Sequence, residues 1–291
     1  MQHSIGHAAK GMGVGMALAI AVLLLIAQAA TAGTLDRVRE AGVFKIGYRT
    51  DAAPFSYSNA IDEPAGYVVD LCREVAAAVK QEVAATEFKV EYVTVTADDR
   101  FDAVKSGRAD ILCEATTVTL ERRKLVDFSL MTFIDGASVM VREDGPQSFK
   151  ELAGHKIGVH TGTTTEAALR KSLSDYDIDA EVVTVDDHKE GVKRLEGGEI
   201  TAYFADRAIL VFLLLGPDAP KSLIISKDYF TREPYALAFA RNDEEFRFLV
   251  DRTLARLYRS GVVEKIFARN FGNAKPSEIL QALYVINSLP E

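Results

Sequence analysis

Residues 113–129 read CEATTVTLERRKLVDFS. The apolar run Ala109–Cys113 has the pattern of a buried strand end, and it opens into Thr116, Thr117 and Thr119, then Arg122 and Arg123. Short hydroxyls beside a guanidinium suit a carboxylate, because the arginine fork meets both carboxylate oxygens at once. The same arginines on a solvated helix would do nothing, and Arg123 and Lys124 are read that way. A second cluster, Thr161-Gly162-Thr163-Thr164, stands where a strand gives way to a helix. Unpaired backbone N–H groups and hydroxyls there favour an anion. Thr163 as a plain N-cap accounts for that segment by itself. No Lys follows it, so it is not a P-loop. Asp206 follows a third apolar run, where it can hold an ammonium group or cap the next helix.

Such residues need a scaffold that brings distant strand ends together. Helix signals at 34–41, 67–83 and 98–106 alternate with strand signals at 43–48, 88–94 and 109–113. That is a βαβ pattern, a sheet covered by helices. The pattern restarts: strands 138–141, 156–160, 181–185 and 200–204 alternate with helices 164–173, 188–195 and 208–215. Strand 235–240 and helices 243–258 and 262–271 follow. Two α/β units predict two lobes, residues 33–134 plus 235–272 and residues 135–234, with crossings near Phe133–Gly136 and Phe230–Tyr235. Residues 273–291 read as a tail with a short helix after Pro276. Ligands of open α/β sheets sit beyond the carboxyl ends of the strands. The clusters above lie at such ends, so they are expected to face one another across a cleft.

Residues 1–32 differ in kind. Lys10 is their one formal side-chain charge, Met16–Ala27 is almost wholly apolar, and Ala30-Thr31-Ala32 supplies small residues after it. That is the order of a secretory signal, with cleavage expected near Ala32; an uncleaved anchor is the alternative. Cleavage would remove Lys10 and no acid, taking the net charge from −8 to −9. An acidic chain argues against nucleic acid as a partner. Export would place Cys72 and Cys113 in an oxidising compartment, where they can pair; two buried thiols remain the other reading. A bond between them would contribute roughly 3–4 kcal/mol in the chain-entropy model. Two cysteines and five histidines show no metal-ligand spacing, and no cofactor motif is present.

Several runs carry a resemblance. They are Ile46-Gly47-Tyr48-Arg49 leading to Pro54-Phe55-Ser56-Tyr57, then Gly66-Tyr67 with Asp70-Leu71. Ala109-Asp110 into Thr116-Thr117, Glu121-Arg122-Arg123 and Asp127-Phe128-Ser129 continue it. Thr161–Thr164 and Tyr203-Phe204-Ala205-Asp206 complete it. In order and spacing the chain resembles the extracytoplasmic solute-binding proteins of family 3, which serve ABC importers of polar amino acids. The resemblance implies an α/β, type II-like periplasmic binding fold, each lobe a mainly parallel sheet flanked by helices, with the ligand cleft between lobes. It implies a monomer in the periplasm that meets the membrane permease subunits of its importer. By position, Arg122 would hold the ligand α-carboxylate with the Thr117 N–H and groups of Thr163 or Thr164. Asp206, Thr117 and the carbonyl of Ala115 would hold the α-ammonium, and Phe55 would be an apolar wall. Many relatives have serine where this chain has Ala115.

Within that family the chain is most similar to glutamate/aspartate binders. Arg49, Arg100 and His188 would then meet a side-chain carboxylate, making L-glutamate or L-aspartate the expected ligand. Closing over glutamine would bury an unpaired guanidinium, at roughly 3–5 kcal/mol, or about two to three and a half decades of affinity. A binder of a neutral polar amino acid is one alternative. A periplasmic dehydratase acting on prephenate-like acids is another, with Asp51, Asp99 or Glu114 as its acid.

Overall fold

Short apolar runs separated by amphipathic stretches build two sheets of matching plan. The computed structural model describes residues 1, 33–215 and 219–291; apart from Met1, the expected signal segment lies outside the described residues. Strand β1 (Val43–Tyr48) is central to the first sheet. The short strands β2 (Asp51–Ala52), β3 (Ser56–Ser58) and β4 (Pro64–Ala65) form a small antiparallel sheet of their own. Next come β5 (Lys89–Thr94), β6 (Ile111–Leu112) and the long β7 (Asp127–Asp135). The second sheet is built from β8 (Ala137–Arg142), β9 (Lys156–His160), β10 (Glu181–Val185), β11 (Ala202–Asp206) and β12 (Leu223–Ile225). Strand β13 (Glu233–Phe239) then returns to the first.

The strand orders are β5-β1-β6-β13-β7 and β10-β9-β11-β8-β12. Each sheet is parallel on one side, where βα crossovers feed it, and antiparallel on the other. The antiparallel halves arise at the crossings. β7 runs out of the first sheet and β8 enters the second against β11; β13 returns between β6 and β7. β7, β12 and the small sheet are elements that the periodicity did not reveal.

Helix Tyr67–Val83 forms where expected, because Tyr67, Val68, Leu71, Cys72, Val75, Val79 and Val83 recur on one buried face. Gly66 begins it at φ 128°, where a Cβ would stand 2.2 Å from Phe55 O, so only glycine fits. Cys72 on this helix is bonded to Cys113 beyond β6, closing a sequence separation of 41 residues. The tail is integral to the first lobe. Leu280, Leu283 and Tyr284 of helix Glu278–Asn287 are buried in its core, and Tyr284 Oη meets Tyr67 Oη at 2.9 Å. Burying three such side chains contributes several kcal/mol, at roughly 1.5–3 kcal/mol each.

Candidate ligand-binding site

The carboxyl ends of the two sheets converge. Arg49, Arg100, Ala115, Thr117 and Arg122 from the first lobe, and Thr163, Thr164, His188 and Asp206 from the second, line one cavity. Its free volume is about 20 Å³, so an amino acid enters only when the lobes part or side chains move. Phe55 is not on its wall. It is fully buried in an aromatic cluster, 4.8 Å from the Phe133 ring and 5.2 Å from Tyr235, because the Phe55–Gly66 turn folds it inward. Arg123 and Lys124 are exposed, as expected.

The three threonines after β9 divide their work. The Thr163 hydroxyl caps helix Thr164–Asp175 by accepting from Glu166 N, and it donates to His160 O. Thr164 Oγ1 donates to Glu233 Oε2 at 3.0 Å, and Thr165 Oγ1 donates to Asp206 Oδ1 at 2.9 Å. Thr117 Oγ1 donates to the same Glu233 oxygen at 2.5 Å. Asp206 precedes helix Arg207–Leu213 yet makes no cap hydrogen bond. Asp135 does that task instead, accepting from Ala208 N at 3.0 Å. Asp206 is therefore not used in capping this helix.

Three carboxylates, Asp135, Asp206 and Glu233, cluster together; Asp206 lines the cavity, and Glu233 is directly opposite Asp135 on paired strands. Burial pushes Asp206 up to about 6, with repulsion from Glu233 adding to it and Thr165 opposing. Burial likewise pushes Asp135 up to about 7, helped by Asp206 and opposed by backbone N–H groups. Tyr235 Oη faces this cluster without a hydrogen bond of normal geometry. A cation placed there would be welcome. Across the cleft, Arg122 Nη1 donates to Thr117 O at 2.9 Å, and no carboxylate pairs with it among the described residues. Burial lowers the Arg122 guanidinium from its ordinary value, against the pull of Glu114, Glu233 and Asp206.

The other two arginines are already paired. Arg49 grips Asp51 at two points, 2.9 and 2.7 Å. Arg100 lies 3.4 Å through Nε from Glu114 Oε1, both fully buried, and donates to Ala97 O. The expected penalty for closing over a neutral ligand assumed guanidiniums with no anion. Asp51 and Glu114 supply those anions, so that size of discrimination does not follow. Arg49 and Arg100 are buried rather than surface residues, and Asp99 pairs with Arg108.

His160 and His188 complete this end. His160 Nδ1 lies 2.8 Å from Thr161 O, which can only accept, so Nδ1 carries the proton. Its Nε2 faces Arg49 Nη2 at 2.8 Å and Asp51 Oδ2 at 3.1 Å. His188 opens helix His188–Glu196 behind the Asp187 cap and meets Tyr203 Oη through Nδ1 at 2.9 Å. Burial, reinforced by Arg49 and His160 and opposed by Asp51, pushes His188 well below its ordinary value, so it is neutral. Ligating atoms of Asp51, His160 and His188 lie within 4.8 Å of one another. No sequence spacing announced that cluster, since Asp51 and His160 are 109 residues apart. The Arg49 guanidinium is bonded to both Asp51 and His160.

Sequence reasoning missed His160, Thr165 and Glu233 as parts of the site, and weighed Asp51 and Glu114 only as acids of the dehydratase alternative. His160 ends a predicted strand beside the threonine cluster, which was signal enough. Glu233 lies within a predicted crossing, where the residue itself was not singled out.

Comparison with known proteins gives the family and the fold. Residues 44–273 match the model of the bacterial extracellular solute-binding proteins, family 3, and the chain belongs to that family. The L-glutamate/L-aspartate-binding protein of Pseudomonas aeruginosa is 32% identical over 246 residues, 84% of this chain and 82% of that one. The glutamate/aspartate import solute-binding protein of Salmonella typhimurium is 30% identical over 252 residues, 86% and 83% of the two chains. Among solved structures, an ancestral amino acid-binding protein, a precursor of cyclohexadienyl dehydratase, aligns with TM-score 0.71 at 26% identity. It covers 82% of this chain and 100% of that one. Both relatives are binding proteins by name, and the fold is that of two-lobed amino acid-binding proteins.

Proposed function

We propose that this chain captures a glutamate- or aspartate-like amino acid in the periplasm and delivers it to the permease subunits of an ABC importer. The observation that carries the reading is the opposition of charge across one cavity. Arg122, with no carboxylate partner among the described residues, takes the α-carboxylate together with Thr117 and the start of helix Thr164–Asp175. Asp206 and Glu233 take the α-ammonium. Arg49, Arg100 and His188 lie at the far end and meet the side chain. The acidic class is supported by the two relatives and by these polar groups. The ion pairs Arg49–Asp51 and Arg100–Glu114 favour a second reading, a neutral polar ligand such as glutamine, because they leave that end near charge balance.

The protein works as a binder rather than an enzyme in this reading. Of the acids available for a dehydratase, Asp51 is held by Arg49 and His160, Glu114 is buried behind Arg100, and Asp99 is bound to Arg108 and Thr96. Export rests on residues 1–32, with the mature chain beginning near Gly33; the mass of protein recovered from periplasm tests that. Calorimetric titration of ligand-stripped protein with glutamate, aspartate, glutamine and asparagine tests the ligand. Binding of either acid supports the assignment, whereas binding of the amides alone replaces it with the second reading.

A further inference from the structure

Glu114 is fully buried, yet it does not line the cavity; Arg100, in front of it, does. Its Oε1 accepts from Thr116 Oγ1 and lies 3.4 Å from Arg100 Nε. Among the described residues its Oε2 has no hydrogen-bond partner, and neither has Arg100 Nε. The Phe101 ring lies between two cations, with Arg100 Cζ 4.8 Å and Arg122 Cζ 5.3 Å from its centroid. Two guanidiniums are thus buried against one ring, and a single carboxylate stands behind them. A buried group with half its hydrogen-bonding capacity idle is poorly placed as a stabilising element. It is well placed to subtract charge from the face its neighbour shows to a ligand.

We propose that Glu114 is a specificity-setting positioning residue that offsets the charge of Arg100, so that the far end of the cavity accepts uncharged as well as anionic side chains. This rests on the reading of the cavity as the amino acid site. Arg122 also feels Glu114, but it meets the α-carboxylate every amino acid carries, so its share cancels in a ratio of affinities. The Arg100 end is graded by its counter-ion. Asp51 plays the matching part behind Arg49, but it also touches His160, so Glu114 isolates the effect.

The test is the ratio of dissociation constants for glutamine and glutamate, measured on wild type, Glu114→Gln and Glu114→Asp. Wild type should discriminate by less than about thirtyfold. Glu114→Gln should shift the ratio towards glutamate at least tenfold, about 1.4 kcal/mol, and Glu114→Asp should keep the wild-type ratio. A merely structural glutamate would change both affinities alike. An unchanged ratio in Glu114→Gln, or a thousandfold wild-type preference for glutamate, overturns the proposal; the latter holds even if the variant fails to fold. Wild type that binds no acidic amino acid defeats the ligand assignment alone, and glutamate binding gained by Glu114→Gln would still support the charge-offsetting role of Glu114.

Discussion

His160 Nε2 lies 3.1 Å from Asp51 Oδ2, a contact between the end of β9 in one lobe and β2 in the other. With Thr117 and Thr164 meeting over Glu233, it joins the lobes at both ends of the cavity. Burial works against the Asp51 carboxylate, but the contact with His160 and the charge and hydrogen bonds of Arg49 hold it well below the usual carboxylate range. A carboxyl depressed on folding adds stability that is present above its unfolded value and lost as pH falls towards the folded one. Asp51→Asn should therefore remove about 1–3 kcal/mol near neutrality. Its stability should also fall less steeply than wild type below about pH 4. Urea unfolding across that range checks it; parallel curves for the two proteins would contradict it.

Arg122→Ala should weaken every amino acid ligand at least a hundredfold, because it removes the unpaired partner of the α-carboxylate. Arg100→Ala has a different signature. It strands Glu114 in the core and should cost roughly 3–5 kcal/mol of stability. Arg100→Ala combined with Glu114→Gln should recover most of that loss. A double-mutant cycle by thermal unfolding gives the coupling, and additive effects would mean the pair is not interacting.

Binding should respond to pH through the carboxylates of the Asp206 cluster. Asp206 is pushed up to about 6 and Asp135 to about 7. Raised carboxyls make the unliganded protein less stable as pH climbs from about 4 to about 7, because ionisation is resisted only in the folded state. An ammonium beside Asp206 favours the ionised form, so binding releases protons in that window. Affinity for glutamine should rise from pH 5 to 7.5, with proton release visible as buffer-dependent calorimetric heat. A side-chain carboxylate beside neutral His188 works in the opposite direction, so glutamate should show a weaker rise. An affinity that falls with pH for glutamine would exclude the Asp206 role.

The Cys72–Cys113 bond holds the strand end from which Glu114, Ala115 and Thr117 project. With a sequence separation of 41 between the cysteines, it should contribute about 3–4 kcal/mol in the chain-entropy model. Cys72→Ser/Cys113→Ser should lower the unfolding midpoint by several degrees. Ligand affinity should fall as well, because the site loop loses its tether. Loss of stability with wild-type affinity would confine the bond to a scaffold role.

Much of the candidate site's lining was legible because it lies at strand ends. Arg122, Thr117, Thr164, His188 and Asp206 each follow an apolar run or open a helix, and one placement rule covers them all. Phe55 was misread because an apolar residue beside a proline turn can face either way. Which side of the turn is core depends on Phe133, Tyr235 and Phe271, far along the chain. The partners of Arg49 and Arg100 were also out of reach, since pairing needs distance rather than spacing.

Local sequence determined the alternation of strands and helices, the restart that makes a second lobe, the cysteines available for pairing, and the residue types gathered at the strand ends. These follow from periodicity and from backbone groups left open at helix starts, which are properties of short segments. Tertiary structure decided the charge state of the site. It placed Asp51 against Arg49, Glu114 behind Arg100 and Glu233 beneath two threonines. Electrostatic energy depends on separation and burial, and those exist only once the two sheets face each other.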